Sequence, residues 1–541
     1  MIGTGELSLS FVARVARFSG RWQASIAKLA TDASDCRGFV LGFIAVHALL
    51  WTVILTLLKA AQDIHFDVAE AFGWGQSYLL GYGKHPPLSG WVAGLWFSVF
   101  PTTDWATYAL AMTVVGVGML ICWMIALRVV DRRRAFFVLV MLALYPIFNF
   151  KGFKYNPDLL QLVTLPLVVL AYLDAFDKRT VRSGVWLGIA CALALLTKYW
   201  ALTMIGAIGI AALVHPARTA FLRSPAPWVA IVAMAVAMVP HVAWLAQVDF
   251  LPLSYAEDTY ALSTRAEALT FVRGYIAHNI ALLAVPLVLS AVVLVWGRWR
   301  SVLIADPTSC AGARLARPDM RRAQAINVWI IQAVVAIGPP LGAIAFAVHI
   351  KTDWGISLFF LVPLCLMAIP ALPVQRVALP KILSVWLMIS LLTLAASPLI
   401  ASYTMPRKSA ADYRTGARSE LAADLTAAWH RRFHRRWSIV VGTTAIGQPM
   451  TFYSPDHPTT LSPNEKWPSG LASPAAARAL GFVGICDPND DRFQSCEAWM
   501  RSHAGGAEHI VMPTHRVFRG RVGPRTDWSV YFVSPQAADS P

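Results

Sequence analysis

The sequence predicts an α-helical polytopic membrane protein with about eleven transmembrane helices, followed by a small C-terminal α/β domain outside the bilayer. Three observations carry that prediction. Of the 541 residues, 57% are hydrophobic and only 14% are charged, whereas a soluble globular chain carries about 25% charged residues. Apolar runs of roughly 17–25 residues, the length that spans a ~30 Å hydrocarbon layer, recur from Phe39 to Ser402. Beyond Ser402 the composition turns polar and ordinary.

The runs place spans near 39–60, 105–130, 134–150, 157–175, 183–197, 199–214, 228–246, 272–296, 326–348, 355–372 and 382–402. The fifth and sixth are short and share a tight turn at Lys198-Tyr199. An odd number of spans puts the termini on opposite sides. With the N-terminus cytoplasmic, the inside stretches hold 22 Lys and Arg and the outside stretches 8, as the positive-inside rule requires. That rule accounts for the net charge of +16 without nucleic acid as a partner. No aromatic-interleaved basic stripe points to nucleic acid either.

Residues 1–38 read as a cytoplasmic amphipathic N-terminus, with Arg14, Arg17, Arg21 and Lys28 near one helical face and Phe11, Val15, Phe18 and Ile26 available to the other. The stretch is too long and polar to be a cleaved signal peptide. Residues 39–402 form the membrane module and 403–541 the outer domain. Segment 88–100 is apolar but too short to span, so it reads as an interfacial helix with Trp91 and Trp96 at headgroup depth. In the outer domain, helices are expected at 417–434 and 492–503, and strands at 437–442, 481–486, 509–512 and 528–533. Of seven cysteines, only Cys486 and Cys496 lie close together in the polar region. They could pair in an oxidising compartment or remain two free thiols. No CxxC or Cys/His spacing suggests a metal centre.

Chemistry-bearing residues cluster in the outer loops. In the first, a helix over 66–78 would put Asp67 and Glu70 on one face, where paired carboxylates could hold a proton, a hydroxyl or a divalent metal. The bland alternative is a solvated loop. Lys84, Lys154, Lys198 and Lys351 fall in outer loops and could hold a phosphate. Lys84 and His85 precede the interfacial helix, where a snorkelling lysine is the alternative. Lys198 sits between two apolar helices, an expensive place unless it is paired or at the surface. Asn156-Pro157-Asp158 is a helix start, and Asp158 in the first turn suits the helix dipole. Tyr199, Tyr255 and Trp354 could stack on a sugar or simply mark the interface. His349 and Asp353 flank Lys351. The basic run at 430–436 reads as a solvated helix end near anionic headgroups, with contact to an acidic glycan or phospholipid acceptor as the alternative. There is no P-loop, no GxGxxG and no HExxH, so a soluble nucleotide is not expected.

The segments FDVAEAFGW (66–74) and GYGKHPPLSGW (81–91) resemble the first outer loop of the GT-C glycosyltransferases. The nearest branch is the bacterial one related to dolichyl-phosphate-mannose protein mannosyltransferases, which includes aminoarabinose and galacturonic acid transferases of lipid A. The resemblance continues through KYNPDLLQLVTLPL (154–167), LLTKYW (195–200), PHVAWL (240–245), DWGISLFF (353–360) and MTFYSPDHP (450–458). It implies a GT-C-like module that moves a sugar from a polyprenyl-phosphate donor to a hydroxyl of lipid A, a glycan, a lipid or a protein. The reaction would be an inverting displacement at the outer face of a bacterial inner membrane, with the C-terminal domain periplasmic. The family commonly has an adjacent Asp-Glu pair in this loop, but here Ala69 precedes Glu70. The catalytic carboxylate therefore falls on Asp67, with Glu70 as the alternative and Asp158 as the second acidic site residue. Donor-phosphate and substrate binding fall on Lys84, His85, Lys154, Asn156, Lys198, Tyr199, Lys351, Asp353 and Trp354. No cofactor is assigned, although the carboxylates permit a divalent metal. Two other readings stay open: a transporter or flippase of lipid-linked saccharides, and a non-catalytic glycan-binding membrane protein.

Overall fold

The computed structural model describes residues 36–301, 318–404 apart from 373 and 375–377, and 417–536 apart from 464 and 466–469. The expected amphipathic N-terminus lies outside the described residues. Among those described, seven helices are long and apolar enough to cross a membrane: Arg37–Leu58, Asp104–Val129, Pro157–Lys178, Pro225–Gln247, Arg265–Val295, Arg321–Ala345 and Ala378–Tyr403. An eighth, Arg132–Leu144 continued by Pro146–Phe153, bends by 77° at the break, where Pro146 has no N–H for the helix ladder. Two shorter apolar helices, Val181–Thr197 and Tyr199–Val214, meet at Lys198. The chain is a multi-pass membrane protein.

The predicted span at 355–372 needs correction, because only Val362–Met367 is helical there. Pro363 can sit only in a first turn and Pro370 stops continuation. The segment still runs the length of the bundle. At one end the Trp354 carbonyl accepts the Trp200 indole N–H at 3.0 Å. At the other the Met367 carbonyl accepts an Arg134 guanidinium N–H at 3.1 Å. Its side chains are almost all buried or half-buried, and irregular backbone is tolerated at membrane depth only when protein covers it.

Small residues set the close approaches that place the site. A Cβ at Gly184 would lie 2.5 Å from the Ala226 carbonyl, so the Val181–Thr197 helix lies directly on Pro225–Gln247. The apolar segment at 88 forms the helix Leu88–Phe97, whose Gly94 nitrogen lies 2.5 Å from a Cβ built at Gly75. Leu88–Phe97 therefore supports the short helix Phe66–Gly75 from beneath.

The C-terminal domain is a five-stranded mixed sheet in the order β2-β1-β3-β7-β4. Its strands are β1 (Ile439–Val441), β2 (Thr459–Leu461), β3 (Phe482–Cys486), β4 (Glu508–Thr514) and β7 (Thr526–Val533), and a small hairpin pairs β5 (Val517–Phe518) with β6 (Arg521–Val522). β2, β1 and β3 are parallel, while β3, β7 and β4 are antiparallel. One face packs on helices Arg418–Phe433 and Thr444–Tyr453 through Leu425, Trp429 and Met450. The other packs on Pro474–Leu480 and Phe493–His503 through Ala477, Cys496 and Met500. All four expected strands and both expected helices are present. Thr444–Tyr453, β2 and Pro474–Leu480 were not expected. Gly447 and Pro449 make Thr444–Tyr453 a poor helix by propensity, and packing overrides that: Phe452 meets Phe72 edge-on with ring centroids 5.3 Å apart.

Cys486 and Cys496 are joined in a disulfide that ties β3 to the helix beside it. Replacing both by serine is expected to destabilise the domain by about 2–4 kcal/mol, read by calorimetry of the full chain in detergent. Reductant on the natural chain should give the same downward shift.

The domain is locked to the bundle at Asp63. This carboxylate has 1% side-chain exposure. It accepts from Arg516 Nη1 at 2.6 Å, Ser419 Oγ at 2.7 Å and the Arg418 backbone N–H at 2.8 Å. Next to it, the Ile64 N–H donates to the Tyr453 hydroxyl at 2.8 Å, and that hydroxyl donates to Asp104 at 3.1 Å.

Candidate active site

The loops at one end of the bundle bring three acid–lysine pairs together. The first centres on Asp67, in the first turn of Phe66–Gly75. His65 caps this helix, its Nδ1 accepting the Asp67 backbone N–H at 3.1 Å, so the carboxylate projects from the N-terminal end. Lys154 Nζ lies 3.1 Å from Asp67 Oδ2, and Asn156 Nδ2 donates to the same oxygen at 3.1 Å. Asn156 does two jobs. Its amide oxygen caps the Pro157–Lys178 helix by accepting from Leu159 N–H at 3.0 Å, which turns its NH2 group toward Asp67. Burial alone would raise the Asp67 pKa, but Lys154, His65 and Asn156 outweigh it and hold the carboxyl well below its usual range.

The second pair is Glu70 with Lys84, 3.2 Å apart. Burial works against the Lys84 ammonium, but Glu70 and Glu465 of the C-terminal domain raise its pKa overall. The third is Asp158 with Lys198, 2.6 Å apart. Lys198 also sits 5.3 Å from the centroid of the Trp354 ring, an arrangement that favours a cation. Its pKa is nonetheless lowered, first by burial, against the pull of Asp158 and with help from Lys351 and Lys154. Lys154 reaches toward Asp353 as well, at 3.9 Å.

Lys351 differs from the other three. It is exposed, packs 5.0 Å over the Tyr260 ring, and has no carboxylate partner among the described residues. It borders a cavity of about 280 Å³ formed with Phe271, Gly274, His349 and Asp353. His85 lies between the lysines. Burial first, then Lys198 and Lys84, lower its pKa to about 3, so the ring is neutral near pH 7.

The site residues expected from the sequence thus converge, with one exception. Tyr199 points away from the acid–lysine group. Its hydroxyl meets His241 Nε2 at 2.9 Å, and His241 Nδ1 lies 2.7 Å from the Leu80 carbonyl. A carbonyl can only accept, so Nδ1 carries the proton and Nε2 accepts from Tyr199. This chain of bonds ties the first outer loop to the Pro225–Gln247 helix.

Sequence reasoning missed His65, Trp200, Tyr260 and Glu465. The only local signal among them was His65 at a capping position. Tyr260 meets Trp354 edge-on at 4.8 Å and Trp200 tilts against it at 4.6 Å, giving an aromatic wall beside Lys198. Among the described residues, no group of three or more His, Cys, Asp or Glu side chains is arranged to hold a metal ion. Asp67 and Glu70 turn to different lysines, Lys154 and Lys84.

The model of the dolichyl-phosphate-mannose-protein mannosyltransferase family matches residues 84–244. The chain is 26% identical over 236 residues to the lipid A galacturonosyltransferase RgtD of Rhizobium johnstonii, a match covering 40% of this chain and 45% of that relative. The chain therefore spans less than half the length of the relative it matches. Its fold is similar to that of ArnT from Cupriavidus metallidurans in the crystal structure bound to undecaprenyl phosphate. The TM-score is 0.52 at 15% identity, covering 92% of this chain and 99% of that one. In its fold, its matched segment and its ordered loop motifs, the chain is similar to membrane glycosyltransferases of the GT-C kind.

Proposed function

We propose that the protein transfers a sugar from a polyprenyl-phosphate donor to a hydroxyl acceptor at the outer face of a bacterial inner membrane. In this reading the N-terminus is cytoplasmic and the C-terminal domain periplasmic. The observation that carries the reading is Asp67 gripped by Lys154 and Asn156, among outer loops that also carry Lys84, Lys198, Lys351 and an aromatic wall. The ArnT crystal structure, bound to undecaprenyl phosphate, supports a lipid phosphate as the donor's leaving group. RgtD supports lipid A as one acceptor class, beside glycans, other lipids and proteins.

The chemistry follows from the pairs. The acceptor hydroxyl attacks the anomeric carbon and the lipid phosphate leaves from the opposite face, inverting the centre. Asp67 accepts the hydroxyl proton late, because a carboxylate is far less basic than an alkoxide. An arriving phosphate competes for Lys154 and Lys198, loosening their hold on Asp67 and Asp158. Loss of a neighbouring cation raises a carboxylate pKa, so donor binding makes Asp67 a better base. Lysines carry the phosphate charge here, and a divalent ion would enter only by displacing Lys154 or Lys84.

Lys351 is the ammonium with least to give up. Lys351→Ala is expected to raise KM for the lipid donor about tenfold or more with little loss of kcat, measured with a labelled polyprenyl-phosphate sugar. Comparing surface glycolipids of deletion and wild-type cells by mass spectrometry tests the function itself. A missing sugar increment supports transfer. Unchanged glycans together with lost movement of lipid-linked saccharide would favour a flippase.

A further inference from the structure

A second cavity lies at the opposite end of the bundle from Asp67. It is a groove of about 730 Å³, within the range of ligand sites, cut between the helices Arg37–Leu58, Asp104–Val129, Pro157–Lys178 and Val181–Thr197. Its shaft is apolar, lined by Leu120, Met124, Leu167, Leu170, Ala190 and Leu193. From Leu120 to Arg128 it runs ~12 Å along the helix axis, most of the ~15 Å hydrocarbon depth of one leaflet. Charge is confined to its mouth.

The mouth is basic. Arg128 lines it but is neutralised, with Asp174 at 2.6 Å and Asp177 at 3.7 Å. Arg37 also lines it and has no carboxylate partner among the described residues. Arg182 lies four residues before Trp186, and therefore on the face of its helix that Trp186, Ala190 and Leu193 present to the groove. It too is exposed and without a carboxylate partner among the described residues. Trp186 is 58% exposed at the rim, the depth tryptophan prefers at a membrane interface.

We propose that this groove binds one anionic glycerophospholipid of the leaflet opposite the active site. An acyl chain would lie along Leu120–Leu127 and Leu193, and the headgroup phosphate between Arg37 and Arg182. Two guanidinium groups without a carboxylate partner among the described residues, above an apolar shaft, fit a lipid with net negative charge better than a zwitterionic one. The lipid would fill a gap between four helices, three of which, Arg37–Leu58, Pro157–Lys178 and Val181–Thr197, lead directly to the site-bearing loops. It would therefore act as a structural ligand, distinct from the donor and independent of whether the protein transfers sugar.

The test uses the full chain in vesicles of phosphatidylcholine with a trace of photoactivatable lipid, either phosphatidylglycerol or phosphatidylcholine, both labelled in the acyl chain. Mapping the adducts by mass spectrometry should place them in 120–127 and 186–193, about ten- to thirtyfold more often with phosphatidylglycerol. The double variant Arg37→Gln, Arg182→Gln should abolish that preference. Ala171→Phe, which fills the shaft, should abolish labelling by both lipids, with helicity and elution unchanged. Equal labelling of wild type by the two lipids, or labelling indifferent to Ala171→Phe, overturns the proposal. So would labelling that appears only once residues 1–35 are removed, because the N-terminal segment would then be the occupant.

Discussion

Asp67→Asn is expected to lower transfer about 10²–10⁴-fold, the usual contribution of a positioned base, while leaving donor binding largely intact. The substitution keeps the shape of the side chain and removes only its charge. Lys154 is not stranded, since Asp353 lies 3.9 Å away, so the loss should appear in kcat rather than in folding or in KM. Glu70 is the necessary control. It is bonded to Lys84, and Lys84 is tied further to the field of Glu465, so Glu70→Gln should weaken donor binding through Lys84 and leave a measurable kcat. A labelled-donor assay with both variants decides between them. If Glu70→Gln lost kcat to the same extent and Asp67→Asn did not, the base would be Glu70.

Asp63→Ala should be the most destabilising substitution at the junction of bundle and C-terminal domain, by about 3–5 kcal/mol. Removing the carboxylate leaves the Arg516 guanidinium, with 13% side-chain exposure, without its 2.6 Å partner, and takes the acceptor from Ser419 and the Arg418 N–H. Glu420, 3.7 Å from Arg516 Nε and far more exposed than Asp63, is a weak substitute, and a buried charge left with it alone costs more than the pair contributed. Asp63 stands four residues before Asp67, in the loop that enters the Phe66–Gly75 helix, so transfer should fall together with stability. Thermal unfolding in detergent, with limited proteolysis at the junction, measures the effect. Asp63→Asn retains an acceptor for the N–H and should recover part of the stability. An unfolding midpoint for Asp63→Ala equal to wild type would show that the junction is held by apolar packing alone.

The parts of the fold legible in the sequence are those governed by local rules. Asn156-Pro157-Asp158 announces a helix start because proline lacks an N–H and asparagine can cap, and it starts a helix here. Period and length place ten of the eleven expected spans on apolar helices. Segment 355–372 fails because hydropathy reports burial and not helicity, and its burial comes from neighbouring helices. The site shows the same division. Clustering acids and lysines in outer loops brings them to one end, so the convergence was readable. Which lysine faces which acid depends on the relative rotation of helices, and no local pattern encodes it. Tyr199 shows it: one residue on from Lys198, it turns toward His241. Glu465 and Tyr453 belong to a domain whose docking is a tertiary event.

The bond between Ile64 and Tyr453 joins positions 389 residues apart. The last membrane helix ends at Tyr403, so a ribosome finishes the bundle before Phe452, Tyr453 and Arg516, which hold Phe72, Ile64 and Asp63, have been made. Until that final stretch has been made, moved into place and folded, a half-built molecule holds its lysines and carboxylates without the support that orders them. Biosynthesis thus carries its own timer: partial translation products, and chains clipped near residue 417, should remain inert beside a substrate that shares their membrane.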